Sequence, residues 1–204
     1  MKASFSSGTV FLGRNAGEEL LRDIRGAKKS VKIVSPYLSP GYVSELVKLH
    51  NRGVEVTLIT TDDGGTAALD VPGLYREEPG QSRSKALLVA LALFVLGVLL
   101  AVAGHPFWGL LLLASAVIVA KLRSSPGKRV PVFDLRVIPS PYRDGKGEYL
   151  MHAKVYVIDD QTAYLGSINL TTSSLKCNYE TAERISEKAA VLKLSAEISV
   201  LAKG

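Results

Sequence analysis

Two short strings hold the residues best suited to chemistry. One is His152-Ala153-Lys154, with Asp159 five residues beyond the lysine; the other is Gly166-Ser167-Ile168-Asn169. Side chains alternate on an extended strand, so His152 and Lys154 project together. An imidazole beside an ammonium suits an anionic phosphate. The ammonium neutralises phosphate charge and disfavours protonation of the ring, which leaves a ring nitrogen free to attack. Ser167 and Asn169 share a face if their segment is extended, and both can hydrogen-bond phosphate oxygens as an oxyanion clamp. Strict alternation turns Asp159 away from His152, so its role reads as support for the turn or for the motif from behind. The other histidines, His50 and His105, fall in a helix stripe and an apolar turn, and neither is followed by lysine two residues later. They read as a packing residue and a loop residue. With three scattered histidines and no carboxylate cluster at ligand spacing, no metal or other cofactor is expected. Cys177 is the only cysteine, which excludes an intrachain disulfide.

At these positions the chain resembles the phospholipase D superfamily, whose signature is His-x-Lys, four residues, Asp, then Gly-Ser-x-Asn. The likeness extends to Asn178-Tyr179-Glu180, where single-motif bacterial endonucleases of that family carry an acidic residue that orients the catalytic histidine. The resemblance implies a metal-free, two-step reaction in which His152 attacks phosphorus and water hydrolyses the phosphohistidine. It assigns Lys154, Ser167 and Asn169 to the phosphoryl oxygens and Glu180 to the other ring nitrogen of His152, with Asp159 completing the motif. The family uses two motifs per active site and this chain has one, so a symmetric homodimer pairing two copies of His152 is expected.

The elements that must position these residues read as α/β, a phospholipase D-like mixed sheet flanked by helices. Val10–Leu12 is a strand, and Asn15 caps a helix to about Arg25 that Gly26 ends. Ser30–Ser35 and Val54–Thr60 are strands, separated by a helix with Ser39 as N-cap and Pro40 at its first position. That helix carries Val43, Leu46, Val47 and His50 on one face. Residues 61–80 read as a loop, as do 139–147. Val132–Ile138, His152–Ile158 and Thr162–Leu165 are strands, with Asp159, Asp160 and Gln161 turning the chain between the last two. Glu187–Ala202 is a closing helix with Ala189, Leu192, Ala196 and Val200 among its apolar positions.

The 35 residues from Ala86 to Ala120 contain no Lys, Arg, Asp or Glu. The stretch predicts an inserted two-helix transmembrane hairpin over 81–125, with spans at 86–103 and 106–122, Trp108 near an interface and Gly104-His105-Pro106 as the turn. Residues 1–80 and 126–204 are then the two halves of the phospholipase D-like domain. The formal charge is +6, from 25 basic and 19 acidic residues. Six of the basic ones, Arg83, Lys85, Lys121, Arg123, Lys128 and Arg129, flank the hairpin, leaving 19 against 19 elsewhere. This placement predicts a multi-pass cell-membrane protein with a cytoplasmic catalytic domain. The favoured function is hydrolysis of a membrane phospholipid. The alternatives are a membrane-tethered endonuclease acting on nucleic acid and a non-catalytic membrane adaptor.

Overall fold

The computed structural model describes residues 2–5, 8–78, 83–122, 128–144 and 147–203. It falls into two compact units, Met1–Tyr75 with Pro131–Gly204, and Arg76–Val130.

The first unit opens with β1 (Lys2–Phe5), β2 (Gly8–Gly13), α1 (Glu18–Gly26), β3 (Ser30–Val34), α2 (Pro40–Asn51) and β4 (Glu55–Thr61). A short helix α3 (Asp62–Gly65) and a 3-10 turn, Thr66–Leu69, lead to β5 (Tyr75–Glu78). The second unit is built on α4 (Arg83–Val102) and α5 (Pro106–Leu122), and β6 (Lys128–Pro131) pairs with β5. The chain then forms β7 (Asp134–Ile138), the hairpin strands β8 (Tyr142–Asp144) and β9 (Gly147–Tyr149), β10 (Val155–Ile158) and β11 (Thr162–Gly166). It ends with α6 (Thr172–Lys176), β12 (Glu180–Ile185) and α7 (Lys188–Lys203).

Eight strands form one mixed sheet in the order β1-β2-β12-β11-β10-β3-β4-β7. β3, β4 and β7 run parallel, while β10 is antiparallel to β3 and to β11. Because side chains alternate, the central strands feed two cores. Tyr156 and Ile158 of β10 join Val31, Ile33 and Leu58 beneath α1 and α2. Val155 and Val157 instead meet Ile59 and α7 residues Val191 and Ile198 on the other face. Continuous burial on both faces explains why these strands are β-branched and aliphatic rather than alternating with charge.

Several expectations change at the level of packing. Asn15 does not cap α1: it sits in a turn at φ 67, its carbonyl accepts the Glu18 N–H at 3.1 Å, and Gly17 is the N-cap residue. Asn tolerates this left-handed backbone, so the turn takes the residue that the cap would have used. Ser39 is the N-cap residue of α2 as expected, with its hydroxyl accepting the Thr172 N–H at 3.1 Å rather than an N–H of its own helix. The region read as a loop after β4 holds short helical turns and β5, because Leu69, Val71 and Leu74 are buried in the core with α2. The second predicted loop contains β8, which pairs with β9. On α7 the buried positions are Val191, Ser195 and Ile198, whereas Ala189, Leu192, Ala196 and Val200 are exposed. The serine keeps its place in the stripe by donating to Asp160 Oδ1 at 2.6 Å and accepting from Lys32 Nζ at 2.7 Å.

The second unit is a helical hairpin whose close approach depends on glycine. A Cβ on Gly109 would lie 2.6 Å from Gly97 O and 2.9 Å from Ala101 Cβ, contacts that only glycine avoids. Gly104, at φ 87, ends α4, and the His105 N–H returns to Leu100 O at 2.9 Å.

The prediction that these helices cross a membrane is corrected by the structure: among the described residues no helix is long and apolar enough to do so. α5 has 17 residues. α4 has 20, of which the first three are Arg83, Ser84 and Lys85, leaving 17 apolar ones. At about 1.5 Å per residue such a run measures roughly 26 Å, short of a hydrocarbon core of about 30 Å. The multi-pass localisation, and the cytoplasmic placement inferred from it, fall with that finding.

The orientation of α7 is directly testable. Ile198→Ala, which empties a buried position, is expected to cost about 2–4 kcal/mol, and Leu192→Ala, on the exposed face, within about 0.5 kcal/mol. Urea unfolding giving equal losses would show the helix rotated from this packing.

Candidate active site

The His152 string is predicted as a strand throughout, but regular pairing starts only at Val155. The reason lies in the neighbour strand. Val155 pairs with Val34, and continuing that register sets Lys154 opposite Ser35 and Ala153 opposite Pro36, which has no N–H to offer. The chain carrying His152 and Lys154 therefore runs beyond the ladder, at the end of the sheet where β3, β4 and β7 finish and β10 begins.

His152 is solvent-exposed, and among the described residues its ring makes no hydrogen bond. Lys154 is 6% exposed, and its ammonium donates to the backbone carbonyl of His152 at 2.7 Å. Burial lowers the pKa of Lys154, and the negative charge of Glu180 partly opposes that fall. An ammonium has three donors, and one intramolecular bond leaves two N–H groups directed into a largely desolvated setting.

The second string is held by alternation. Ile168 and Leu170 are each 1% exposed, while Ser167, Asn169 and Thr171 are exposed or half-buried, so the polar residues share the opposite side. Backbone anchors fix this conformation. The Tyr156 hydroxyl donates to Ile168 O at 2.7 Å, and the Leu170 N–H donates to the hydroxyl of fully buried Ser35 at 2.9 Å. Burial raises the pKa of Tyr156 and keeps it a neutral donor. Gly166 lies against β12, where a Cβ would come within 2.1 Å of Thr181 O. Only glycine lets the chain turn out so close to its neighbour.

Glu180, 8% exposed, is bonded by the Ser167 hydroxyl and by Asn178 Nδ2, the latter at 3.2 Å. Ser167 Oγ also accepts the Thr181 N–H at 3.1 Å. Glu180 thus takes Ser167 and Asn178 as partners in this structure rather than the His152 ring. Asn169 Oδ1 is buried without a hydrogen-bond partner. Sequence reasoning had singled out neither Tyr156 nor Ser35, although an aromatic at an inward position of the motif strand was a visible signal for the first. Among the described residues no group of three or more His, Cys, Asp or Glu side chains is arranged to hold a metal.

Asp159 lies at the far end of β10, away from the other motif residues. Asp159 and Asp160 have φ 55 and 52, and the Gln161 N–H returns to Ile158 O at 3.0 Å, a turn that needs two left-handed residues. The Asp159 carboxylate accepts the N–H groups of Lys28, Lys29 and Ser30 at 2.7–3.1 Å. Burial opposes its ionisation, but those three bonds and the charge of Lys29 outweigh it, so its pKa is lowered. A depressed carboxylate pKa contributes stability above the unfolded value of about 3.9, which is lost as pH falls through the folded value. Asp159→Asn is expected to lose about 1–2 kcal/mol at pH 7 and to lack this part of the acid dependence. Parallel wild-type and variant stability curves from pH 7 to pH 3 would contradict it.

Residues 119–201 match the family described as cardiolipin synthase, PLD-like domain. No curated protein sequence matches the chain. Among solved structures, NucT from Helicobacter pylori is 16% identical and aligns over 94% of this chain and 92% of its own, with a TM-score of 0.53. Nuc from Salmonella typhimurium, a phospholipase D family member, is 18% identical over 94% of this chain and 92% of its own, with a TM-score of 0.51. At such identity the likeness concerns architecture. The chain has the mixed α/β fold of phospholipase D-like structures, a central mixed sheet flanked by helices.

Proposed function

We propose that this chain hydrolyses phosphodiesters through a covalent phosphohistidine at His152. The observation that carries the reading is an exposed imidazole two residues from a buried ammonium that has a single hydrogen bond among the described residues. A buried cation with unused donors is costly unless an anion completes its shell. A phosphoryl oxygen supplies that partner.

A nitrogen of His152 attacks phosphorus. The N–P bond forms as the bond to the leaving oxygen breaks, and that oxygen takes a proton from His152 of the partner subunit in a homodimer. Water then attacks the phosphohistidine, gives its proton back to the partner's His152, and restores both rings. Lys154 neutralises charge on the phosphoryl oxygens, and the Nδ2 group of Asn169 donates to them. Ser167 has one hydroxyl proton, and in the resting site it goes to Glu180. When phosphate enters, rotation of that hydroxyl toward a phosphoryl oxygen releases a Glu180 oxygen for the N–H of the His152 ring. Glu180 is therefore a positioning residue and Ser167 a phosphate ligand. Asp159 supports the motif by clamping residues 28–30.

His152→Ala is expected to lose activity on bis(p-nitrophenyl) phosphate by roughly 10³-fold or more, together with the alkali-stable phosphohistidine recovered from wild type during turnover. Dimers carrying one His152→Ala subunit are expected to be inactive, so activity follows the square of the wild-type fraction. A linear dependence, or full activity in a monomer, refutes the shared site. The lowered pKa of Lys154 places the alkaline limb of kcat/KM below the ordinary lysine value of about 10.4; a limb at or above that value contradicts the role of the buried ammonium.

A further inference from the structure

The Glu180 carboxylate is held by two donors that reach it from different parts of the chain. Its Oε2 takes the Ser167 hydroxyl, and its Oε1 takes Asn178 Nδ2 at 3.2 Å. The residue is 8% exposed, and a buried anion stripped of donors is costly. A ligand that draws the Ser167 hydroxyl away therefore leaves Glu180 dependent on the Asn178 amide.

The backbone fixes both donors in place. Ser167 Oγ accepts the Thr181 N–H at 3.1 Å, so the oxygen stays where it is and only its proton turns from Glu180 to an incoming oxygen. Asn178 is set by the end of α6, where the N–H groups of Cys177 and Asn178 donate to Ser173 O at 2.9 and 2.8 Å. α6 is held in turn by the Thr171 cap, whose hydroxyl accepts the Ser174 N–H at 3.2 Å. Leu175, 1% exposed, pins the same helix against Gly17, where a Cβ would lie 2.6 Å from the leucine Cδ2. β12 begins two residues after Asn178, with Glu180 opposite Gly13. Asn178 itself is exposed, so its amide serves Glu180 rather than the core, and substitutions there leave the core untouched.

We propose that Asn178 is a positioning residue: by holding Oε1 of Glu180 it frees the Ser167 hydroxyl to pass from Oε2 to a phosphoryl oxygen. The inference rests on the reading of Ser167 as a phosphate ligand and Glu180 as the partner of the His152 ring. It adds the group that keeps the buried carboxylate bonded during the exchange, and it leaves Oε2 as the oxygen that meets the ring. Calorimetric titration with inorganic phosphate follows the exchange without turnover. Asn178→Ala is expected to weaken phosphate binding about five- to tenfold, and to lower kcat/KM on bis(p-nitrophenyl) phosphate by at least as much. In a Glu180→Gln background, where no carboxylate remains to be satisfied, the same substitution is expected to change phosphate affinity less than about twofold. Asn178→Asp restores a donor only when the two facing carboxyls hold a proton between them. Its phosphate affinity relative to wild type is therefore expected to rise from about pH 8 to about pH 5, while the ratio for Asn178→Ala stays flat. Undiminished affinity in Asn178→Ala, an equal loss in the Glu180→Gln background, or a flat Asn178→Asp ratio overturns the assignment. If phosphate binding follows these expectations but wild type cleaves no phosphodiester, the catalytic reading fails and the role of Asn178 in the exchange stands. A wild type that binds no phosphate overturns both.

Discussion

The site depends on a cation held where the sheet stops. Lys154 continues the line of β10 one residue past its first paired position, under cover of the core yet with only the His152 carbonyl as a bonded partner among the described residues. A strand paired to its end would leave the ammonium facing a neighbouring strand, and a chain that turned away would leave it in water. Pro36 prevents the first outcome by having no N–H to extend the ladder. Tyr156 and Ile158, buried in the core two and four residues on, prevent the second by fixing the register of β10. The electrostatic cost of the buried charge is thereby borne by the folding of the whole central sheet, and in the proposed reaction an arriving phosphate would meet a preformed cation.

The second string is governed by the same logic applied to neutral groups. Ile168 and Leu170 are driven into the core, which leaves Ser167 and Asn169 on the other side without any direct force on the polar residues themselves. Buried acceptors and donors from distant strands, Ser35 and Tyr156, then hold the segment against sliding. In the proposed reaction the Ser167 hydroxyl would be shared between Glu180 and an incoming oxygen, so Ser167 and Glu180 are better treated as one unit than as two independent residues.

The central strands were readable because a doubly buried sheet leaves a strong local run of β-branched and aliphatic residues, as in Ser30–Val34 and Val155–Ile158. What escaped was decided by tertiary partners. The α7 stripe includes Ser195, whose polarity is satisfied by Lys32 and Asp160 from the sheet, so hydrophobicity alone does not mark its buried face. Asn15 looked like a cap and became a left-handed turn residue; Ser39 is the N-cap residue of α2, but its hydroxyl goes to α6. The bond from Ser167 to Glu180 was invisible because the pairing of β11 with β12 makes it, whereas Asn178 lies two residues away.

The apolar hairpin shows how a composition signal overreaches. An uncharged stretch of 35 residues reads as two crossings, but the turn at Ala103–His105 divides it into uncharged helical runs of 17 residues in α4 and 15 in α5. Length, not hydrophobicity, decides whether a helix can satisfy a bilayer. The basic residues around the hairpin account for most of the excess charge of the chain, and the sheet unit is close to neutral with 18 basic against 17 acidic residues. Recognition there must come from local groups such as the buried ammonium of Lys154.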